Sequence, residues 1–342
     1  MPKVVCFGEL MLRLSPPGFE RLFQSPVLSA TFGGGEANVA ASLAHFGLES
    51  HYVSRLPGHA IGDAAMRALR AEGIRADHML RGGERLGIYF AETGASQRAS
   101  TVVYDRAYSS ISEAGPGMFA WHTIFTGAAW FHVTGITPAL GPSAADCTRE
   151  AIDAARAAGA RISIDLNYRK KLWTEARARE VMRPLVASAD VVIANEEDIQ
   201  SSLGLNVRGA DVTAGALEVS GYGQAAERVA AEFGVKQVAI TLRESHSASR
   251  NGWSAVLFDA TTCVFHESQR YDVSIVDRIG GGDSFAAGLI YGLVTGRTPD
   301  ASLRFAVAAS ALKQTIPGDF NRVTVAEVDL LAGGDASGRV QR

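Results

Sequence analysis

Cysteine is scarce in this chain. Three occur in 342 residues, Cys6, Cys147 and Cys263, odd in number and at no repeated spacing. That excludes a disulfide framework and a thiolate zinc site, and it fits a reducing compartment. Excess charge of either sign is missing too: 33 Lys and Arg stand against 36 Asp and Glu, a net charge of −3. Without a basic field, nucleic acid is not an expected partner. No apolar run approaches the roughly 18 residues of a membrane span. The N-terminal MPKVVCFGELMLRL is a short apolar strand broken by Gly8 and Glu9, not a signal peptide. These absences predict a cytoplasmic protein with no membrane partner. Three nucleotide motifs are also missing. There is no GxxxxGK followed by Ser or Thr, and no protein-kinase HRD and DFG pair. FGEL follows the first strand, where a dinucleotide fold carries GxGxxG.

What is present is ordinary globular material, 47% hydrophobic and 20% charged, with 36 glycines and no internal repeat. The length suits one large domain, read as residues 1–330. Buried strands are expected at Val4–Phe7, His51–Ser54, Ile124–Phe131, Ile162–Leu166, Val191–Ala194 and Val238–Leu242. Between them, Ala37–Phe46, Gly62–Glu72, Ala144–Ala158, Ala176–Ala187 and Ala225–Phe233 have helical spacing. This alternation predicts a layered α/β domain with helices on both faces of a mostly parallel sheet. Ligands of such folds bind at the C-terminal ends of strands. Leu10–Leu14, Val27–Phe32, Leu86–Thr93 and Thr101–Tyr104 break the alternation and read as short strands of hairpin character. Residues 201–224 read as a glycine-rich surface loop, and residues 331–342 as a disordered tail.

The most informative stretch is VDRIGGGDSFAAGLIYGL, residues 276–293. It reads as the end of a strand (Val273–Val276), a turn at Gly280, Gly281 and Gly282, then Asp283 and a helix of small and apolar residues. Glycines let backbone N–H groups approach a ligand, and the helix start adds unpaired amides and a positive dipole end. Together these make an anion site, most often for phosphate. A carboxylate at such a mouth repels phosphate, so Asp283 needs another role. The simplest is a general base for a hydroxyl that attacks phosphorus. The alternative is that Asp283 caps the helix and the glycines only turn the chain.

This segment resembles the C-terminal signature DTxGAGD of the ribokinase-like (PfkB) carbohydrate kinases. Arg278 stands where Thr is common, and Gly281–Gly282 where Gly-Ala is common. Residues 32–44, FGGGEANVAASLA, are similar to the family's N-terminal signature GGxxxNxAxxLA. Further segments are most like 2-keto-3-deoxygluconate (KDG) kinases. They are LGIYFAETG around Tyr89, VVYDRAYSS around Tyr104 and Arg106, FHVTGITPAL near residue 135, SIDLNYRKKLW around Asn167 and Arg169, and LKQTIPGDFN around Asp319. The likeness runs from about residue 3 to about residue 325.

The resemblance implies a three-layer α/β/α sandwich with a mostly parallel central sheet and a small β-sheet lid drawn from about residues 10–32 and 86–106. It implies ATP-dependent phosphorylation of the terminal C6 hydroxyl of KDG, with Asp283 as base and the Gly280, Gly281 and Gly282 amides as anion hole. By it, Tyr89, Tyr104, Arg106 and Arg169 contact the keto acid, Gly34 and Asn38 its hydroxyls, and Asp319 the end that receives the phosphoryl group. Asn167, Asn195, Thr241, Arg243 and Ser245 fall at the nucleotide end. Asn195-Glu196-Glu197-Asp198 resembles the family's NxxE, whose acid acts on Mg²⁺ through water. Here Asp198 or Glu197 would serve. A monovalent cation is left open, and a homodimer through the lid is favoured. The loop that commonly reads KxGxxG is here TLRESHSAS, residues 241–249, without glycine.

The residue types suit that chemistry. KDG carries a carboxylate, and arginine offers a planar fork for one. Each residue also has an ordinary reading: surface charge for the arginines, half-buried sheet positions for the tyrosines, a turn for Asp319, a helix cap for Asn195. Two rivals remain at this stage. A kinase of a neutral sugar such as fructose or ribose would give the arginines no substrate role. A sugar- or nucleotide-binding sensor without catalysis would draw on the altered 243–249 segment.

Overall fold

The computed structural model describes residues 1–205, 219–335 and 337–338, the side chains of residues 196, 219 and 220 excepted. The chain opens with β1 (Lys3–Phe7), β2 (Met11–Ser15), β3 (Ser29–Gly33), α1 (Gly35–His45), β4 (Glu49–Val53), β5 (Arg55–Leu56), α2 (Ala60–Ala71), β6 (Leu80–Arg81), β7 (Gly87–Glu92) and β8 (Thr101–Asp105). It continues through α3 (Trp121–Ile124), β9 (Ala128–Thr134), α4 (Ile136–Ala139), α5 (Pro142–Ala157), β10 (Arg161–Asp165), α6 (Glu175–Val186), β11 (Val191–Ala194) and α7 (Glu196–Leu203). It closes with α8 (Val219–Phe233), β12 (Gln237–Ser247), β13 (Arg250–Asp259), β14 (Val264–Glu267), β15 (Tyr271–Ser274), α9 (Gly281–Val294), α10 (Pro299–Lys313) and α11 (Val325–Ala332).

The main sheet runs β14-β13-β12-β11-β10-β9-β1-β4, with β15 also paired to β13. From β4 to β12 every pairing is parallel, and β13, β14 and β15 add antiparallel partners. The pleat sends alternate residues to opposite faces. Val5 and Phe7 enter one core with Ile152 of α5, Met182 of α6 and Val229 of α8. Val4 and Cys6 enter the other with Leu43 of α1, Phe285 of α9 and Phe305 of α10. Helices therefore cover both faces, as the β-α alternation predicts. A second, separate sheet runs β3-β2-β7-β8. Its strands come from the four short segments that broke the alternation. Among the described residues no helix is long and apolar enough to cross a membrane.

Several boundaries differ from the sequence reading. Ile124–Phe131 is not one strand: Trp121–Ile124 form a helical turn, Gly127 takes φ 71°, and β9 starts at Ala128. An apolar run carries no mark of that turn, because Trp121, Phe125 and Phe131 are all buried. The strand before the glycine turn ends at Ser274, and the Val276 and Asp277 amides instead bond the Gln314 carbonyl. The segment after Leu242 is no loop. β12 runs on to Ser247 and pairs with β13. The residue 201–224 loop is helical at both ends, in α7 and α8, and its positions 206–218 lie outside the described residues. Leu331 and Ala332 belong to α11, and tail positions 336 and 339–342 lie outside the described residues.

Candidate active site

One cavity of about 620 Å³ opens at the C-terminal ends of β10, β11 and β12, between the main sheet and the small one. Every site residue expected from the sequence lines it, from Gly34 at the cap of α1 and Asn38 within that helix to Asp319 near the C-terminus. The first two turns of this wall depend on absent side chains. At Gly34 an added Cβ would lie 2.0 Å from the Glu9 carbonyl oxygen. At Gly280, φ is 85° and a Cβ would lie 2.2 Å from the Asp319 carbonyl oxygen. Both positions therefore require glycine.

Gly280 is the N-cap of α9 and no side chain caps that helix. The Gly281 amide donates to the Arg278 carbonyl at 3.2 Å, and the Gly282 and Asp283 amides that follow are open to a ligand. Asp283 lies inside the first turn rather than at the cap, which removes the capping alternative. Its Oδ2 accepts from Asn38 Nδ2 at 2.7 Å. Burial pushes its pKa up to about 6, assisted by the Asp319 charge and opposed by the Asn38 bond, Arg169 and Lys313. A carboxylate so poised is ionised at neutral pH yet basic enough to take a proton. Asn38 also accepts from the Gly34 amide at 3.2 Å. It lines the cavity and bonds Asp283 with one of its two N–H groups, which leaves the other N–H and a lone pair for a ligand.

Asp319 is likewise engaged. Its Oδ1 takes Arg13 Nη1 at 2.7 Å and its Oδ2 takes the Tyr89 hydroxyl at 2.5 Å. Arg13 also bonds Asp277 at 2.7 Å, so a buried arginine bridges two carboxylates under the cavity floor. Asp319 and Tyr89 support the floor through each other. Sequence reading missed Arg13 and Asp277, whose positions in a strand and a turn show no pattern; their partnership spans the chain.

The two arginines expected to meet a carboxylate have different surroundings. Arg169 is exposed, and among the described residues its guanidinium bonds the Tyr168 carbonyl alone, at 3.1 Å. Arg106 is buried and paired with Glu9, which also accepts from Ser109 at 2.5 Å. Its Nε has no partner among the described residues, and its guanidinium carbon lies 5.3 Å from the centre of the Tyr104 ring. Tyr104 in turn sits across from Tyr89 in the β7–β8 register. Glu9 interrupts the first apolar stretch, and that break was the one sign of it in the sequence. Tyr104, Arg106 and Arg169 also line an adjoining cavity of about 1020 Å³, with Lys170 and Lys171 on its far side. This end of the site is positively charged.

At the opposite end, Asn195 caps α7 by accepting from the Asp198 amide at 2.8 Å while it lines the cavity. Asn167 follows β10 with φ 38°, a left-handed conformation that Asn tolerates. Along β12, alternation turns Thr241, Arg243 and Ser245 to the cavity. Glu244 faces away into a two-bond pair with Arg270, at 2.8 and 2.7 Å. The neighbouring carboxylate therefore does not oppose Arg243. Asn251 and Trp253 on β13 and Arg278 before the turn complete this wall. Each has a buried polar atom without a partner among the described residues: Asn251 Oδ1, Trp253 Nε1 and Arg278 Nε.

Asp165 at the end of β10 went unnoticed in the sequence because it reads as one polar residue in a strand. It is buried and lines the cavity. Burial, then the charges of Asp198 and Asp283, raise its pKa well above the usual value. Asp198 is pushed up to about 6, chiefly by burial. Glu197 is exposed at the rim. Among the described residues no three His, Cys, Asp or Glu side chains converge on one point. Two buried carboxylates short of positive charge suit Mg²⁺ that keeps its waters and is shared with phosphates.

The pattern of the pfkB family carbohydrate kinases matches residues 1–322. A 2-dehydro-3-deoxygalactonokinase of Haloferax volcanii is 33% identical over 335 residues, 98% of each chain. A 2-dehydro-3-deoxygluconokinase of Bacillus subtilis is 25% identical over 340 residues, covering 94% of this chain and 93% of that one. The crystal structure of a 2-dehydro-3-deoxygluconokinase from Thermotoga maritima is 49% identical and superposes with a TM-score of 0.94, over 98% of this chain and 100% of the other.

Proposed function

Because this chain belongs to the pfkB family of carbohydrate kinases, with their ribokinase-like α/β fold, we propose a specific reaction for it. It transfers the γ-phosphoryl group of ATP to the C6 hydroxyl of KDG, the compound also called 2-dehydro-3-deoxygluconate. The observation that carries this reading is the polarity of one cavity. A carboxylate with its pKa raised to about 6 lies at its floor, at an uncapped helix start, and Arg169 and the Glu9-paired Arg106 flank it.

In this reading the carboxylate of KDG meets Arg169 and the free edge of Arg106, and Tyr104 covers the chain of the sugar acid. Asp283, turned by Asn38, takes the proton of the C6 hydroxyl as that oxygen attacks phosphorus. The amides from Gly280 to Asp283 meet the charge gathering on the transferred group. Arg243, Ser245 and Thr241 line the nucleotide's path along β12, beside Asn167 and Asn195. Asp198 and Asp165, with Glu197 at the rim, would hold Mg²⁺ through water. The ion would neutralise phosphate charge as transfer proceeds. The setting is the cytoplasm, in keeping with three free thiols.

The C4 epimer, 2-keto-3-deoxygalactonate, is the second reading, favoured by the name of the Haloferax relative. ADP release is the test, with KDG, its epimer, gluconate, fructose and ribose, each with and without Mg²⁺. Mg²⁺-dependent turnover confined to the keto acids is expected. Turnover with fructose or ribose instead would discard the carboxylate pocket and keep the kinase. Silence on all five would favour the sensor.

A homodimer through the small sheet accompanies this reading. Phe19, Phe23, Val27 and Tyr108 leave an apolar surface exposed beside it, and β3 and β8 are open edges. A monomeric mass by light scattering would remove the dimer.

A further inference from the structure

Directly behind the glycine turn lies a buried cation. Lys313, the last residue of α10, is fully buried. Its ammonium donates to three backbone carbonyls: Gly318 at 2.6 Å, Asp277 at 3.2 Å and Ile316 at 3.4 Å. Three donors meet three acceptors, so the group is satisfied. The carbonyls come from two loops. Asp277 begins the run into Gly280, and Ile316 and Gly318 precede Asp319. The Gly318 amide joins the same loops by donating to Asp277 Oδ2 at 3.0 Å, and Arg13 joins them by bridging Asp277 and Asp319. An added Cβ on Gly280 would lie 3.2 Å from Lys313 Cε, so the turn packs on the lysine stem.

The charged groups around this ammonium are Asp277, Asp319, Arg13 and Asp283. Lys313 and Arg13 balance Asp277 and Asp319. Burying a lysine in this way is costly, because desolvation disfavours its charge. A side chain needed only to fill space there would not be ionisable. The charge also reaches the reacting end, since Lys313 pulls the Asp283 pKa down against burial.

We propose that Lys313 is a tethered monovalent cation: it fixes the Gly280–Gly282 turn against the residue 316–319 loop and supplies positive charge behind it, so that transfer needs no free monovalent ion there. It is a positioning residue, since it touches neither substrate. The proposal rests on the anion-hole role given to that turn. A carbonyl cage that takes an ammonium also suits potassium, and here the chain fills the cage itself.

The test reads turnover on whichever sugar the substrate panel accepts, so failure of the keto-acid assignment leaves it standing. Wild-type turnover at fixed ionic strength should be the same in choline, sodium, potassium and ammonium salts. Several-fold activation by potassium or ammonium overturns the proposal, and this arm needs no variant to fold. Lys313→Ala should lose about 10²-fold or more in kcat, with the KM for sugar little changed. Potassium or ammonium, but not choline, should restore much of that loss in the space left by the side chain. Lys313→Met fills the space and should not be restored. In that variant the acidic limb of the pH profile should move to higher pH, because Asp283 has lost a nearby cation. Near wild-type kcat in Lys313→Ala, or equal restoration of both variants, refutes the assignment.

Discussion

Replacing Asp283 with Asn should cut turnover by orders of magnitude and at the same time make the protein more stable at neutral pH. The carboxylate is held at about 6 against a usual 3.8, chiefly by burial. At 1.36 kcal/mol per pH unit that difference is about 3 kcal/mol. Asp283 is half-buried at an open cavity floor, so solvent screening reduces the figure to about 1–3 kcal/mol. The sign follows from proton binding. Between pH 3.8 and about 6 the folded state binds a proton that the unfolded state has released. Stability therefore falls as pH rises through that window and is lowest above it. Asn at 283 has no charge to bury and still offers an oxygen to Asn38. Thermal unfolding of both proteins from pH 4 to pH 8 checks this. Asp283→Asn should melt a few degrees higher at pH 8, and the gap should close towards pH 4. Its kcat should fall by about 10²–10⁴-fold, with Mg²⁺-ATP affinity within a few fold. In the wild type, kcat should drop about tenfold per pH unit below about 6, as the base is protonated. A variant less stable than wild type at pH 8, or a gap that ignores pH, would refute the reasoning.

The two arginines should separate. Arg169→Ala removes an exposed group, so melting should be unchanged and kcat/KM for the keto acid should fall about 10- to 100-fold. Arg106→Ala strands Glu9, its buried partner, and should cost about 3–5 kcal/mol of stability besides substrate affinity. Equal losses of ATP affinity in either variant would contradict the carboxylate assignment. On β12, Arg243→Ala should raise the KM for ATP, whereas Glu244→Ala should not, because Glu244 faces Arg270 on the other side of the strand. Matching nucleotide kinetics in the two variants would deny the alternation its role.

Much of this protein was legible before its structure. The 2-residue alternation and apolar runs located most strands, and helical spacing located α1, α2, α5, α6 and α8, because burial on one face is a local property of a segment. The turn at Gly280 could be marked as a close backbone approach from its glycines, whereas the close approach at Gly34 to the Glu9 carbonyl was seen only in the fold. The other residues from Gly34 to Asp319 that line the cavity were picked out by resemblance to the family's segments; only the turn from Gly280 to Asp283 could be argued from residue types alone. α10 was missed, since its buried Ala, Ser and Phe positions leave no polar face to mark a period.

Partnership could not be read from sequence. Arg13 meets Asp319 across 306 positions, Arg106 meets Glu9 across 97, and Asn38 meets Asp283 across 245. A charge in a strand looks the same whether it faces solvent, a ligand or a buried carboxylate. The identities of Asp283, Arg106 and Asp319 were set by the sequence. The fold alone decided that one is raised towards neutrality by burial, one is tied to Glu9, and one is spent on Arg13 and Tyr89. Desolvation and pairing depend on what long-range folding brings within a few ångströms, and no local pattern carries that distance.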